Sequence, residues 1–524
     1  MIRLANIFGD SMVLQRGKPL PVWGQAAPGA GVTVSIQGRK ASAMADATGC
    51  WRAELPPLEA SFAETLTVAC GGETLTLRDV QVGEVWLAGG QSNMEFQMRY
   101  DLQYAEEQPL CADDALRFYD VPEISYPGQD AEADYSLYGV WRKAQPQQLE
   151  RFSAVGYWFA KQLRRRLHVP VGVVGCNWGG TPVCAWMSRD AIRAGGGQVL
   201  LDEYAAAVQG VDGPAYDRAY RADPGSYRTD LLADLQNDLI MYSKPLPVVQ
   251  AELAARGLAY QWNPLPIGPK YERRPSGLYE AMLKPLAPFA VRGILWYQGE
   301  TDGDGHPELY AGLFPALIAD WRALWGEQLP FLFVQLAPLE AWMQCTGAGY
   351  PTIRAAQQHT AHTVPGTGMA VITDAGMRWD IHPKAKRPVG ERLALLARKL
   401  AYGEAVQCEA PTLAAATIAP GLLCLRFQNA GAGLSLADTT PYGERLPAGR
   451  LCGVTVLQGG RRVDAAALEA RIAGDCVWLS GPELQQIPTR VEVACSGWYQ
   501  VNLYNSAGLP ARPAAVGAAP AAGR

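Results

Sequence analysis

Five apolar runs, each ending in a turn-forming residue, constrain this chain more than any other feature. They are "GEVWLAGG" (83–90), "VPVGVVGCNWGG" (169–180), "VRGILWYQGE" (291–300), "LPFLFVQLAP" (329–338) and "GMAVITDAG" (368–376). A strand that is apolar on both faces suits a parallel sheet covered by helices on either side. Helical periodicity lies between the runs. In "GERLALLARKLAYG" Leu393, Leu396 and Leu400 share one face, and Gly403 can end the helix. This alternation predicts an α/β fold with a doubly wound sheet, whose ligands bind beyond the carboxyl ends of the strands.

The flanks read differently. Residues 1–80 carry short alternating strands, with a hairpin turn at Gly71-Gly72, and residues 406–508 return to the same alternation in "LLCLRF" and "CVWLSG". The expected organisation is an N-terminal β domain (1–80), a central α/β domain (81–405) and a C-terminal β domain (406–508). An irregular insertion occupies about 190–275, and the small-residue tail 509–524 is expected to be disordered. A length of 524 residues requires several cores. The net charge of −5 offers no basic field for nucleic acid or an anionic membrane, and no run of about 18 apolar residues spans a bilayer. Neither partner is expected, and the oligomeric state is left open.

Eleven cysteines show no CxxC pair and no pairing with histidine, which argues against a metal site and for buried thiols in a reducing compartment. No metal or other cofactor is expected. The N-terminus lacks a signal-peptide core, so the chain as written reads as cytoplasmic, or as periplasmic or secreted if a leader was removed.

Ser92, in "LAGGQSNMEF", sits where a buried strand turns into a helical pattern, a place where hydrolases display a nucleophile but also where an ordinary turn serine is at home. A serine nucleophile needs a base, and there are five histidines. His168 follows a basic helical segment, His306 lies in a polar loop, and His359 and His362 share a surface-like segment. His382 alone follows a late strand-end loop, with Asp380 two residues upstream. An oxyanion needs convergent donors. "NWGGTP" (177–182) offers the backbone at Gly179 and Gly180, and "WYQGE" (296–300) offers the Gln298 amide, beside the N–H of Ser92 itself. A non-catalytic sugar-binding protein, or a lipase or peptidase on the same scaffold, are rival readings.

"GQSNM", "NWGGTP", "WYQGE" with "DWR" downstream, "IRAAQ" and "DIHP" resemble, in this order, the motifs of the sialate O-acetylesterase family. That family belongs to the SGNH (GDSL-like) hydrolases and is related to acetylesterases acting on xylan. "FGDSMVLQRGKPLPVWG" is similar to its N-terminal β domain, so the likeness runs from residue 7 to about 403. The resemblance implies a flavodoxin-like doubly wound parallel sheet with helices on both faces, flanked by small β-sandwich-like domains. It implies Ser92 as nucleophile, His382 as general base and Asp380 as its acid. Ser92, Gly180 with Gly179, and Gln298 would form the oxyanion hole. The implied substrate is an acetylated carbohydrate, a sialic acid or alternatively acetyl xylan.

One departure stands out. SGNH hydrolases place the acid three residues before the histidine, and here Trp379 holds that position. Either a loop lets Asp380 reach the ring, which is the working expectation, or a backbone carbonyl or Asp374 orients it. Glu300 would brace Gln298 or touch substrate. Trp178 could face the sugar, and Arg99 could meet a sialate carboxylate or be a solvated charge.

Overall fold

A computed structural model of the chain describes residues 1–129, 135–222, 241, 246–255, 267–343, 345–419, 421–484 and 488–520. The expected helical stretch "RTDLLADLQNDLIMYSK" lies almost wholly outside the described residues. The described fold is mixed α/β. It divides into two compact units, residues 1–298 with 312–331, and residues 299–311 with 332–524.

In the first unit, the 18-residue strand Glu73–Gly90 is central. Its outer half forms a hairpin with Ser61–Cys70 through Gly71 and Gly72, both at positive φ. There, residues alternate between more and less exposed; from Val80 on every residue is buried. The strand runs through residues 80 and 81 without a break. The sequence carries this change itself: "ETLTLRDV" alternates, whereas "GEVWLAGG" presents no polar side chain but Glu84. Glu84 is buried and met by Arg16 (2.6 Å) and Arg292 (2.7 Å), which hold its carboxyl below the usual range despite burial.

The inner half pairs in parallel with Val171–Asn177 on one side and Gly293–Tyr297 on the other. Val171–Asn177 also pairs in parallel with Asp113–Asp120, and Trp141–Ala144 closes that edge antiparallel. Helix Ala154–Leu167 is capped by Ser153, whose hydroxyl accepts from the Gly156 N–H at 3.0 Å and donates to the Met94 carbonyl at 2.6 Å. One serine thus starts a helix and ties it to the segment after Ser92. Trp86, Trp186, Trp296 and Trp321 are fully buried; Trp86 packs on Phe159 at 5.0 Å on one face of the sheet, and Trp296 meets Trp321 edge to face at 5.3 Å on the other.

The second unit contains strand Thr367–Ala370 and helices Tyr350–Thr363 and Arg387–Leu400. Leu393 and Leu396 are buried as their spacing requires, and Leu400 emerges at the helix end. Gly403, at φ +68, donates to the Lys399 carbonyl and ends the turn. An eight-stranded sheet follows, with Leu423, Leu425, Phe427, Val477, Leu479, Val491 and Val493 forming one core from alternate positions. The tail corrects its expectation. Ala514–Pro520 is a strand, parallel to Thr412–Ala419 and antiparallel to Pro488–Val493. Small side chains lower intrinsic strand preference, but backbone pairing on both sides of the segment supplies the order its composition does not.

Candidate active site

Strand register brings three motif blocks to one level. Gly90 is opposite Asn177 on one neighbour and Tyr297 on the other, so "GQSNM", "NWGGTP" and "QGE" leave the same sheet edge together. The Gln91 N–H donates to the Tyr297 carbonyl (3.1 Å), and the Trp178 N–H to the Gly90 carbonyl (3.2 Å). Gly90 makes this possible. It has φ +136, and an added Cβ would lie 2.2 Å from the Tyr297 oxygen.

Ser92 opens the four-residue helix Ser92–Glu95, closed by Glu95 N–H to Gln91 and Phe96 N–H to Ser92. Ser92 is half-buried, while Asn93 and Met94 are buried behind it. Phe96 accepts from the Ala154 N–H at 2.7 Å, so the segment is held by the start of the long helix.

The second block lies against the first. A Cβ on Gly179 would meet Ser92 Cβ at 3.2 Å and Glu95 Oε2 at 3.1 Å, so any larger residue would press on both side chains. The Gly179 N–H donates to Glu95 Oε2 at 2.7 Å. A charge-assisted bond to Glu95 thus occupies the Gly179 hydrogen, which the motif resemblance assigns to the oxyanion hole. Gly180 has φ +71.

Gln298 is fully buried and donates through Nε2 to the Thr181 carbonyl at 3.2 Å. Thr181 also anchors the loop from inside: its hydroxyl donates to the Trp178 carbonyl (2.7 Å) and accepts from Trp186 Nε1 (2.9 Å). Trp321 Nε1 then donates to the Trp186 carbonyl at 2.9 Å. A buried polar chain thus fixes the Gly-rich turn to the core. Asn177 Nδ2 completes the support by donating to the Ala88 carbonyl at 3.1 Å.

The second unit holds the histidine block. His382 is 4% exposed, and burial pushes its pKa down to about 3, with Asp380 pulling it up and Lys384 and Lys386 pushing it further down. At neutral pH the ring is the uncharged form that a base requires. Asp380 Oδ1 accepts from the His382 backbone N–H at 2.8 Å and lies 3.8 Å from Nδ1; Oδ2 pairs with Lys384 at 2.9 Å. Asp380 is therefore beside the ring but beyond hydrogen-bond distance of it. Asp374 is engaged elsewhere, bidentate on Arg392 at 2.7 and 2.6 Å and accepting from the Tyr504 hydroxyl at 2.9 Å. Trp342 packs edge to face on the His382 ring at 5.2 Å.

Ser92, Gly179, Gly180, Gln298, Trp178 and Arg99 fall in the first unit, and Glu300, Asp380 and His382 in the second. Among the described residues no group of three or more His, Cys, Asp or Glu could hold a metal ion. No helix among them is long and apolar enough to cross a membrane.

Comparison with known proteins gives the family. A family model described as carbohydrate esterase, sialic acid-specific acetylesterase, matches residues 253–399. The sialate O-acetylesterase of Mus musculus is 30% identical over 439 residues, covering 77% of this chain and 74% of its own. The chain belongs to the sialate O-acetylesterase family. The Homo sapiens sialate O-acetylesterase is 28% identical over 438 residues, covering 77% of this chain and 71% of its own. The crystal structure of a carbohydrate acetylesterase from Xanthomonas citri is 31% identical, with a TM-score of 0.73, and covers 98% of this chain and 99% of its own. The protein is accordingly a carbohydrate O-acetylesterase.

The other expected residues of this esterase take varied positions. Trp178 is buried in the second-block turn, and Glu300 is buried after the third strand. Arg99 is half-buried with its guanidinium 4.9 Å from the Tyr100 ring centre. His168 caps a helix at φ +56 and is exposed, His359 and His362 are exposed, and His306 pairs with Glu308 at 3.2 Å. Sequence reasoning missed Glu95 and Thr181. Glu95 was discoverable, since it stands three residues after Ser92 on a helical pattern and so faces the same way. Thr181 carried no signal beyond its place in "GGTP".

Proposed function

We propose that the esterase removes O-acetyl groups from sialic acids through an acetyl-serine intermediate. In this reading the catalytic domain is an SGNH-type doubly wound sheet over about 81–405, with β-sandwich-like domains at 1–80 and 406–508. The observation that carries the proposal is the common level of Gly90, Asn177 and Tyr297, from which Ser92, Gly180 and Gln298 each follow within three residues.

His382 removes the Ser92 hydroxyl proton as the serine oxygen attacks the acetyl carbonyl. The N–H groups of Ser92 and Gly180 and the Gln298 amide stabilise the oxyanion; a carboxamide has two hydrogens, one of which holds Thr181. Glu95 fixes Gly179, and through it the donor that follows. Asp380 supports the imidazolium, since closing its 3.8 Å separation from Nδ1 by about 1 Å makes a charge-assisted bond. His382 returns the proton to the departing sugar oxygen. Water, deprotonated by the same histidine, attacks the acetyl-serine and releases acetate.

Turnover of 4-nitrophenyl acetate and its loss in Ser92→Ala test the mechanism, and an intact protein without turnover refutes it. Acetate released from O-acetylated sialic acids in preference to acetylated xylo-oligosaccharides supports the substrate class; the reverse preference overturns it.

A further inference from the structure

Arg273 sets a positive charge on the second motif block. A Cβ on Gly180 would lie 2.9 Å from Arg273 Nη2, so the guanidinium occupies the space over the Gly180 α-carbon that a side chain would otherwise fill. The preceding glycine faces Ser92 Cβ at 3.2 Å on the same construction. Since consecutive α-carbons are about 3.8 Å apart, Ser92 Cβ and the guanidinium are separated by about 13 Å at most. One substrate molecule can reach both.

The arginine is held in place. Ser276 N–H donates to the Cys184 carbonyl at 2.9 Å, tying the Arg273 segment to the turn that follows "NWGGTP". Arg274 donates to the Ser125 carbonyl (2.9 Å), and the Ser125 hydroxyl donates to the Lys270 carbonyl (2.7 Å). The charge is nevertheless poorly matched. Among the described residues the one carboxylate within 4 Å is Glu272, with Oε1 3.8 Å from Nε, and Nε makes no hydrogen bond. The side chain is 35% exposed, so an incoming anion can reach it.

We propose that Arg273 binds the carboxylate of an acidic acetylated sugar and makes this esterase selective for anionic over neutral substrates. This deepens the functional reading above and rests on it. A planar guanidinium suits a carboxylate because two parallel N–H bonds fix its orientation as well as its charge. Arg99, the sequence candidate for this role, instead has its guanidinium against Tyr100.

The test compares an O-acetylated sialic acid with its methyl ester, which removes the carboxylate charge and keeps the sugar. The native protein is expected to hydrolyse the acid with a kcat/KM at least about tenfold higher, the worth of one charge-assisted hydrogen-bonded pair. Arg273→Gln should abolish that preference through KM, and Arg273→Lys should restore part of it. Equal rates on acid and methyl ester by the native protein, or a preference that survives in Arg273→Gln, overturns the proposal. An unfolded Gln variant leaves the native comparison and the Lys variant to decide it. Failure of the broader reading looks different: no acetate from either sialic acid form, with 4-nitrophenyl acetate still hydrolysed.

Discussion

Gly90→Ala should damage both stability and turnover, for one geometric reason. At φ +136 a residue with a Cβ is strained by about 1–3 kcal/mol. The new methyl would also lie 2.2 Å from the Tyr297 oxygen and 2.8 Å from its carbonyl carbon, backbone atoms of the neighbouring strand that cannot swing aside as a side chain would. Overpacking of this kind adds about 1–3 kcal/mol. The lower chain entropy of alanine in the unfolded state returns about 0.4–1 kcal/mol. The net loss is about 2–5 kcal/mol, a large share of an ordinary protein's stability. Relieving the clash moves the Tyr297 carbonyl by about 1 Å, and this carbonyl accepts the Gln91 N–H immediately before Ser92. A displacement of that size costs about 100-fold in rate. The assay is a urea titration together with kcat/KM on 4-nitrophenyl acetate. Gly196→Ala is the control, because Gly196 has φ +81 but nothing within 4 Å of its would-be Cβ, so it reports strain without the clash. Equal midpoints for the two variants, with native turnover in Gly90→Ala, would refute the reasoning.

Other consequences follow from the second unit. With its pKa down near 3, His382 stays uncharged in the folded chain while the unfolded chain takes up its proton below about pH 6.5. Its contribution to stability is complete above that pH and lost as pH falls toward 3, by up to about 5 kcal/mol; His382→Gln should flatten the pH dependence of the unfolding midpoint over that window. The acid limb of kcat/KM should correspondingly fall below pH 5, and a limb at an ordinary imidazole value near 6.5 would contradict the burial assigned to the ring. Asp374→Ala leaves Arg392 buried without its bidentate partner, so it should destabilise by about 3–5 kcal/mol, as read by thermal unfolding. Asp380→Asn should reduce kcat by more than tenfold with a smaller effect on KM if this carboxylate supports the imidazolium; unchanged kcat would point to another group.

Much of the α/β pattern was legible because strand ends are written locally. "GEVWLAGG" and "VPVGVVGCNWGG" carry their burial and their stop signals in adjacent residues, and the helix over Arg387–Leu400 shows its buried face in leucine spacing. The tail was misread for the complementary reason. "AAVGAAP" has little side-chain preference, and its order comes from two strands about 25 and 100 positions away in the chain.

For the site, the sequence by itself determined which residues could do chemistry: a serine after a buried strand, one histidine in a strand-end loop, glycines and a glutamine at two further strand ends. Tertiary structure decided which partners their atoms have. Gly179 turned from a donor toward substrate into a donor toward Glu95, Gln298 acquired Thr181, Asp374 was taken by Arg392, and Arg273 came to Gly180 from 93 positions away. The physical reason is that residue type fixes how many hydrogens and charges a side chain can offer, whereas partners are allotted by distances set when strands and loops far apart in the chain come to lie side by side.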